Sequence, residues 1–272
     1  MFNSNPFGEL SAVVSSPVQQ WFVIVMILFV VGGTLFDVVH KGSAKYFFRQ
    51  MQKSKTTGDR SVGGGEAIGI AVKTAAIDVA TSAEFCNPHR RIAHLMTMYG
   101  FILNVVMTLV LVFCYGTTVD APSIYTALWY LGALSVCIGG YWFWFFIRVD
   151  VASEGGSPFR LERADLFVLS LLGSMTFAII WGLTGGMIWL GLYLIATVLL
   201  FGGVPWSKFA HMFFKPAAAY EKRMSYASGA AQNLPTISRD DPEQQKRHSM
   251  ELLVDAPMDM GLGIKREKPT HF

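Results

Sequence analysis

RRIAHLMTMYGFILNVVMTLVLVFCY, running from Arg90 to Tyr115, decides the fold. From Ile92 onward the stretch contains no Asp, Glu, Lys or Arg, and it exceeds the ~20 apolar residues that a hydrocarbon core of ~30 Å requires of a spanning helix. Two basic residues, Arg90 and Arg91, mark one end, and Tyr115 marks the other. Two polar groups break the apolar run. His94 sits one turn inside the basic end, and Asn104 sits near the middle. An ionisable group at such a depth is costly and points to function. Asn104 is suited to line a cavity or to bond a neighbouring helix.

Four similar runs surround this one: Val18 to Val39, Ser123 to Ile147, Leu166 to Leu183, and Met187 to about Val204. Trp and Tyr edge the run at 123–147, as interfacial aromatics do. Thr184-Gly185-Gly186 predicts a tight turn, since glycine accepts positive φ. Of the 272 residues, 52% are hydrophobic and 15% charged, both displaced from soluble averages towards the membrane class. The net charge of +3 gives nucleic-acid binding no support. The fold class is therefore an all-α membrane protein, a bundle of five transmembrane helices. Its parts are an outer N-terminal segment 1–17, a membrane domain 18–215 that includes a long loop 41–91, and a tail 216–272.

The loops orient the bundle. Lys41, Lys45, Arg49, Lys53, Lys55, Arg60, Lys73, Arg90 and Arg91 lie between the first two runs; Arg148, Arg160 and Arg163 follow the third; Lys208, Lys215, Lys222 and Arg223 follow the fifth. Segments 1–17, 116–122 and 185–186 carry no Lys or Arg. The positive-inside rule then puts the N-terminus outside and the C-terminus in the cytoplasm, in an inner (cytoplasmic) membrane. With no basic residue in 1–17, the first run is expected to be a retained helix rather than a cleaved signal.

This topology brings His94 and His211 to the same side of the membrane, one on the second run and one at the end of the fifth. Two neutral imidazoles facing each other across a bundle can hold the iron of one b-type haem. His40 and His89 lie on that side too and compete for the role, and each of the four has a plainer use as an interfacial, hydrogen-bonded side chain. His248 and His271 fall in the polar tail. Cys86, Cys114 and Cys137 are too few and too scattered for an iron–sulfur cluster or a disulfide framework. Asp37, Asp78 and Asp150 lie near the cytoplasmic interface, either as proton relays or, more plainly, paired with neighbouring Lys and Arg.

In the long loop, Ala44 to Gln52 predicts an interfacial helix with Tyr46, Phe47 and Phe48 in the headgroups. Gly63-Gly64-Gly65 reads as a hinge, since no G-K-[ST] follows to make a phosphate loop. Glu66 to Thr81 has helical character. The tail is expected to order on binding, with Met250 to Val254 and Met258 to Leu262 as docking segments for a cytoplasmic partner.

Asp78-Val79-Ala80-Thr81-Ser82-Ala83-Glu84-Phe85-Cys86, the following Arg90-Arg91-Ile92-Ala93-His94-Leu95-Met96-Thr97-Met98-Tyr99-Gly100-Phe101, and Val204-Pro205-Trp206-Ser207-Lys208-Phe209-Ala210-His211 together resemble quinone-interacting respiratory membrane subunits. The resemblance covers roughly residues 18 to 215. It is to the membrane part of the quinone-interacting oxidoreductase of sulfur metabolism, and more distantly to the gamma subunit of respiratory nitrate reductase. It implies that His94 and His211 are the axial ligands of the cytoplasm-proximal haem. The outer haem's ligand positions fall near Asn104 and Tyr193, so one haem is expected rather than two. The N-terminal iron–sulfur domain of the longer relatives has no counterpart here, and the short form is similar to the membrane anchor of adenylylsulfate reductase. That implies a cytoplasmic partner with flavin and iron–sulfur subunits, which exchanges electrons with membrane quinone.

The expected function is a membrane electron-transfer subunit, with Arg90, Arg91 and Lys208 near the haem propionates or the docked partner. The alternative is a haem-free anchor that recruits the partner and shapes a quinone site. A transporter ranks last, since the five runs show no repeat and few midplane polar groups.

Overall fold

A computed structural model describes residues 4–40, 58–83, 87–117, 121–149, 157–162, 165–206 and 211–230, with residues 49, 52, 53, 56 and 85 besides; of 211 and 213 it describes the backbone alone. All regular structure among the described residues is helical. A short helix α1 (Pro6–Leu10) precedes α2 (Ser16–His40). Helix α3 (Gly64–Lys73) continues as a π-helical stretch to Ala80. Helices α4 (Pro88–Leu109) and α5 (Ser123–Trp142) each end in a π-helical turn, Val110–Cys114 and Phe143–Ile147. Then come α6 (Leu166–Thr184), α7 (Met187–Gly202), a 3-10 turn at Val204–Trp206, and α8 (His211–Ala227).

Four helices, α2, α4, α5 and α6, are long and apolar enough to cross a membrane. At 16 residues α7 is apolar but shorter, about 24 Å at the helical rise. Helices satisfy their own backbone hydrogen bonds, which is what a hydrocarbon medium demands. Helix α2 leaves Trp21, Leu28, Phe29, Leu35 and Val39 exposed, a surface that suits lipid rather than water.

Packing follows chain order: α4 lies on α5, α5 on α6, α6 on α7, and α2 on α7 and the Val204–Trp206 turn. In lipid there is no hydrophobic force between helices, so close backbone approach and interhelical hydrogen bonds hold them. The α4–α5 seam shows both. A methyl group added at Gly132 would stand 2.7 Å from Asn104 N and 2.8 Å from Gly100 O. Across the seam Asn104 Nδ2 donates to Trp129 O at 3.0 Å, Trp129 Nε1 to Thr108 Oγ1 at 2.9 Å, and Ser135 Oγ to Met96 O at 2.9 Å. Helices α6 and α7 turn at Gly185, which takes φ +65° and donates to Trp181 O.

Helix α1 closes one end of the bundle. Phe7 packs edge-on against Trp129 and Trp181, with centroids at 5.6 and 5.3 Å, and Asn5 Nδ2 donates to Tyr115 O at 2.9 Å. Helices α3 and α8 pack together at the opposite end. The starts of α4 and α6 and the ends of α2, α5 and α7 lie at that α8 end.

Three expectations are revised. The second run begins at Pro88 rather than Ile92, because Asn87 Oδ1 accepts from His89 N and Arg90 N and Pro88 supplies a preset first turn. The triple glycine opens a helix rather than separating elements. Gly63 is the N-cap of α3, and Gly64 and Gly65 form its first turn. The boundary at 215/216 falls inside α8, so the start of the tail is helical and packed. Pro216 is tolerated in the second turn, where its absent N–H leaves the Met212 carbonyl without an i+4 donor. The interfacial helix at 44–52, apart from Arg49 and Gln52, and the tail segments 250–254 and 258–262 lie outside the described residues.

Candidate functional site

The α8 end gathers the chemistry-bearing residues. Asn87 and Pro88 start α4, so Arg90, Arg91 and His94 fall in its first two turns. The chain enters that cap through a sharp bend at Ser82, which holds φ +48° and is buried. The bend brings Thr81 and Phe85 back against the start of α4. Arg91 Nε donates to Thr81 O at 2.7 Å, and Tyr99 Oη donates to Ala80 O at 2.6 Å.

His94 is half-buried under this bend. Its Nδ1 lies 3.1 Å from Ser82 Oγ, and its ring packs on Phe85 with centroids 4.8 Å apart. Two cations flank the same Phe85 ring, the Arg90 guanidinium at 5.7 Å and the Lys215 ammonium at 5.2 Å. Arg90 also stands over Phe143, at 5.9 Å. Cations prefer such ring faces for the negative quadrupole.

Lys215 is the link to α8. It lies four residues after His211, the first residue of that helix, so the two positions share one helical face. With Lys215 on Phe85 and Phe85 on His94, the second turn of α8 reaches the His94 corner through the Lys215 side chain. The His211 side chain and Lys208 lie outside the described residues.

Below His94 the same face of α4 carries Phe101, Val105, Thr108 and Val112, spaced at helical intervals. All four line a cavity of about 470 Å³ between α2, α4, α6 and α7. Asn104 and Tyr193 line it too, as do Leu200, Phe201 and, at its α8 end, Met212, the residue after His211. The lining is almost wholly apolar. Asn104 thus fills both uses its position suggested, facing the cavity and bonding α5.

Helix α8 is held by an ion pair and by a hydrogen bond from Arg60 to its last turn. Asp78, on the π-helical stretch after α3, receives Arg223 Nε at 2.6 Å and Nη2 at 2.9 Å. The two hydrogen bonds and the charge of Arg223 hold the Asp78 carboxyl below its ordinary value. Arg60 binds Glu66 and also donates to Ala227 O at 2.7 Å. Asp78 is therefore an anchor of α8, the plainer of the two roles considered for it. Asp37 is buried on α2, and Asp150 is outside the described residues.

The competing histidines have ring partners of their own. His40 stacks on Phe36 at 4.9 Å, and His89 leans on Trp142 at 5.9 Å. Among the described residues no cluster of three or more His, Cys, Asp or Glu forms a metal site, and a bis-imidazole iron site needs none. The parts a haem would draw on here are an imidazole bonded through Nδ1, a helix that begins at a second histidine, and cations beside an aromatic ring; the apolar cavity begins deeper on α4, at Phe101, and His94 is not in its lining.

Sequence reasoning missed Ser82, Phe85 and Lys215. The i, i+4 spacing of His211 and Lys215 was the available signal for the last. Ser82 carried none, since its role depends on a bend that no glycine marks. No protein-family model, no curated protein and no solved structure matches this chain.

Proposed function

We propose that the chain is the membrane subunit of an oxidoreductase complex, with five spans and the α8 end in the cytoplasm, carrying electrons between a cytoplasmic redox enzyme and quinone. One b-type haem is held by His94 and His211. The observation that carries this reading is the Phe85 corner, where α8, beginning at His211, is drawn to His94 through Lys215.

When bound, the haem supplies reversible one-electron transfer, with the protein setting position and potential. His94 offers an imidazole whose ring plane is fixed by Ser82 and Phe85. Arg90 and Lys215 provide the positive charge that two propionates require. Lys215 joins the cations expected there; Arg91 gives its Nε to Thr81 O and keeps its charge beside them. The apolar cavity excludes water from the middle of the bundle and suits a hydrophobic electron carrier. The partner expected from the sequence, a flavin and iron–sulfur adenylylsulfate reductase, would deliver two electrons per turnover, the number that reduces one quinone to quinol.

A second reading is a haem-free anchor. It is favoured by the contacts His94 makes within its own polypeptide, which suit a structural histidine as well. Reduced-minus-oxidised spectra of the wild type and of His94→Ala and His211→Ala separate the two. A b-type spectrum lost in both variants supports the haem; a colourless wild type that still supports quinone-linked turnover supports the anchor.

A further inference from the structure

We propose that α3 and its π-helical extension rest in the membrane surface at the α8 end, with the stripe Ile68, Ala71, Val72, Ala75 and Ala76 set against lipid at the boundary of headgroups and acyl chains, a placement independent of haem.

The stripe runs at i, i+3, i+4, i+7 and i+8, the spacing of one helix face. All five residues are exposed, Ile68 at 68% and Val72 at 63%. The opposite face is taken: Thr74 on it is buried, and Asp78 binds Arg223 of α8. Three charged residues lie between Gly64 and Ala80, namely Glu66, Lys73 and Asp78, and none is in the stripe. Glu66 and Asp78 are spent on Arg60 and Arg223. A helix with one apolar face of this kind lies in the interfacial plane of a bilayer.

What covers the stripe follows from where the helix ends. Ala80 is the last residue of the π-helical stretch, and Tyr99 Oη donates to its carbonyl at 2.6 Å. Tyr99 is exposed on α4 together with Ile92, Ile102 and Val106, on a helix long and apolar enough to cross a membrane. That face is the surface α4 offers to lipid. Tyr99 lies 11 residues past Pro88, about 16 Å along α4 at the helical rise, and its side chain leans back towards the helix start. The end of the π-helical stretch therefore meets the bundle on its lipid side, deeper than the basic pair Arg90-Arg91. Ala75 and Ala76 stand about one turn from that end, so the stripe continues the lipid-facing surface of α4.

The hydrogen bonds at this end fit the same surroundings. The carbonyls of Ile77, Val79, Ala80 and Thr81 receive Ala83 N, Ser82 N, Tyr99 Oη and Arg91 Nε. The last carbonyls of a helix in water can be left to solvent. A helix end set against lipid needs its donors from protein, and this one has them.

The test uses full-length protein in vesicles of phosphatidylcholine and phosphatidylglycerol, with no partner added. Nitroxide labels are placed singly by Ile68→Cys, Val72→Cys and, for comparison on the exposed side of α8, Lys222→Cys, in a background of Cys86→Ala, Cys114→Ala and Cys137→Ala. Collision with oxygen, which concentrates in lipid, against collision with a water-soluble nickel chelate reads depth. The labels at 68 and 72 are expected about 5–10 Å inside the headgroup boundary, and the label at 222 in water. Labels at 68 and 72 that meet the nickel chelate more than oxygen overturn the proposal and leave the stripe to a soluble partner. Labels shielded from both reagents overturn it too, since protein then covers the stripe. The unsubstituted chain gives a second readout: a phospholipid with a photoreactive diazirine high in its acyl chain should leave adducts within 64–80. Adducts on α4 with none in 64–80 would contradict the proposal.

Discussion

Replacing Gly132 with alanine should destabilise the bundle by about 2–4 kcal/mol. The added methyl would meet Asn104 N at 2.7 Å, Gly100 O at 2.8 Å and Asn104 Cα at 3.0 Å. All three are backbone atoms, so no side chain can swing away. Ordinary contact begins at 3.4 Å, so α4 and α5 must part by about 0.7 Å, the difference between 3.4 and 2.7. Overpacking of this kind costs about 1–3 kcal/mol. The same shift would stretch the bond from Asn104 Nδ2 to Trp129 O, now 3.0 Å and one turn from Gly132, beyond useful length. It would weaken Ser135 Oγ to Met96 O in the same way. Each such bond between membrane helices is worth ~0.6 kcal/mol on average. The assay is reversible unfolding in mixed micelles, followed by tryptophan fluorescence. Gly191→Ala is the control, because a methyl there meets nothing within 4 Å, and it should stay within ~0.5 kcal/mol of wild type. A Gly132→Ala protein as stable as the Gly191→Ala control would refute the account of the seam.

Other outcomes are expected. Asp78→Asn should loosen α8 by about 1–2 kcal/mol, since two charge-assisted bonds at a partly exposed site are weakened, and hydrogen exchange across 211–227 should rise. Because the folded carboxyl is held below its ordinary value, the pair's contribution is full above the usual carboxylate range near pH ~4 and fades as the pH falls below it; α8 protection should follow that course and become flat in Asp78→Asn. Arg148→Ala should cost about 3–5 kcal/mol in the same unfolding assay, because it strands Asp165, now bonded at 2.7 Å and nearly buried, and removes a guanidinium lying 4.0 Å over Trp144. Lys215→Gln should leave the fold intact but weaken the hold of α8 on Phe85, read as faster exchange in the first turns of α8 with little change in unfolding midpoint.

Long-range apolarity made the spanning helices legible. The runs at 123–147 and 166–183 emerge almost unchanged, because uninterrupted apolar residues in lipid have few alternatives to helix. The Gly185 turn was equally plain, since its φ needs glycine. Helix starts were less so. Asn87-Pro88 is a strong N-terminal signal, but the three polar residues after it, His89, Arg90 and Arg91, hid the helix from an apolarity criterion. The α8 end was hardest to read. Asp78 and Arg223 are 145 residues apart, and nothing local in either segment announces the other. The polar sequence of 216–227 suggested a solvated tail, yet the Arg223–Asp78 ion pair and the contact of α8 with α3 give it a partner surface. Within the site His94 was visible as an imidazole at membrane depth. The bend that holds it was not, because Ser82 adopts a glycine-like conformation without being glycine.

The central claim is that the His94 corner holds one haem. The most direct measurement is a dithionite-reduced minus oxidised optical spectrum of the purified full-length protein, with haem quantified per chain. The account predicts one b-type haem per chain, lost in His94→Ala and in His211→Ala while both variants remain folded. A folded wild type without haem, or a spectrum that persists in both variants, would contradict it.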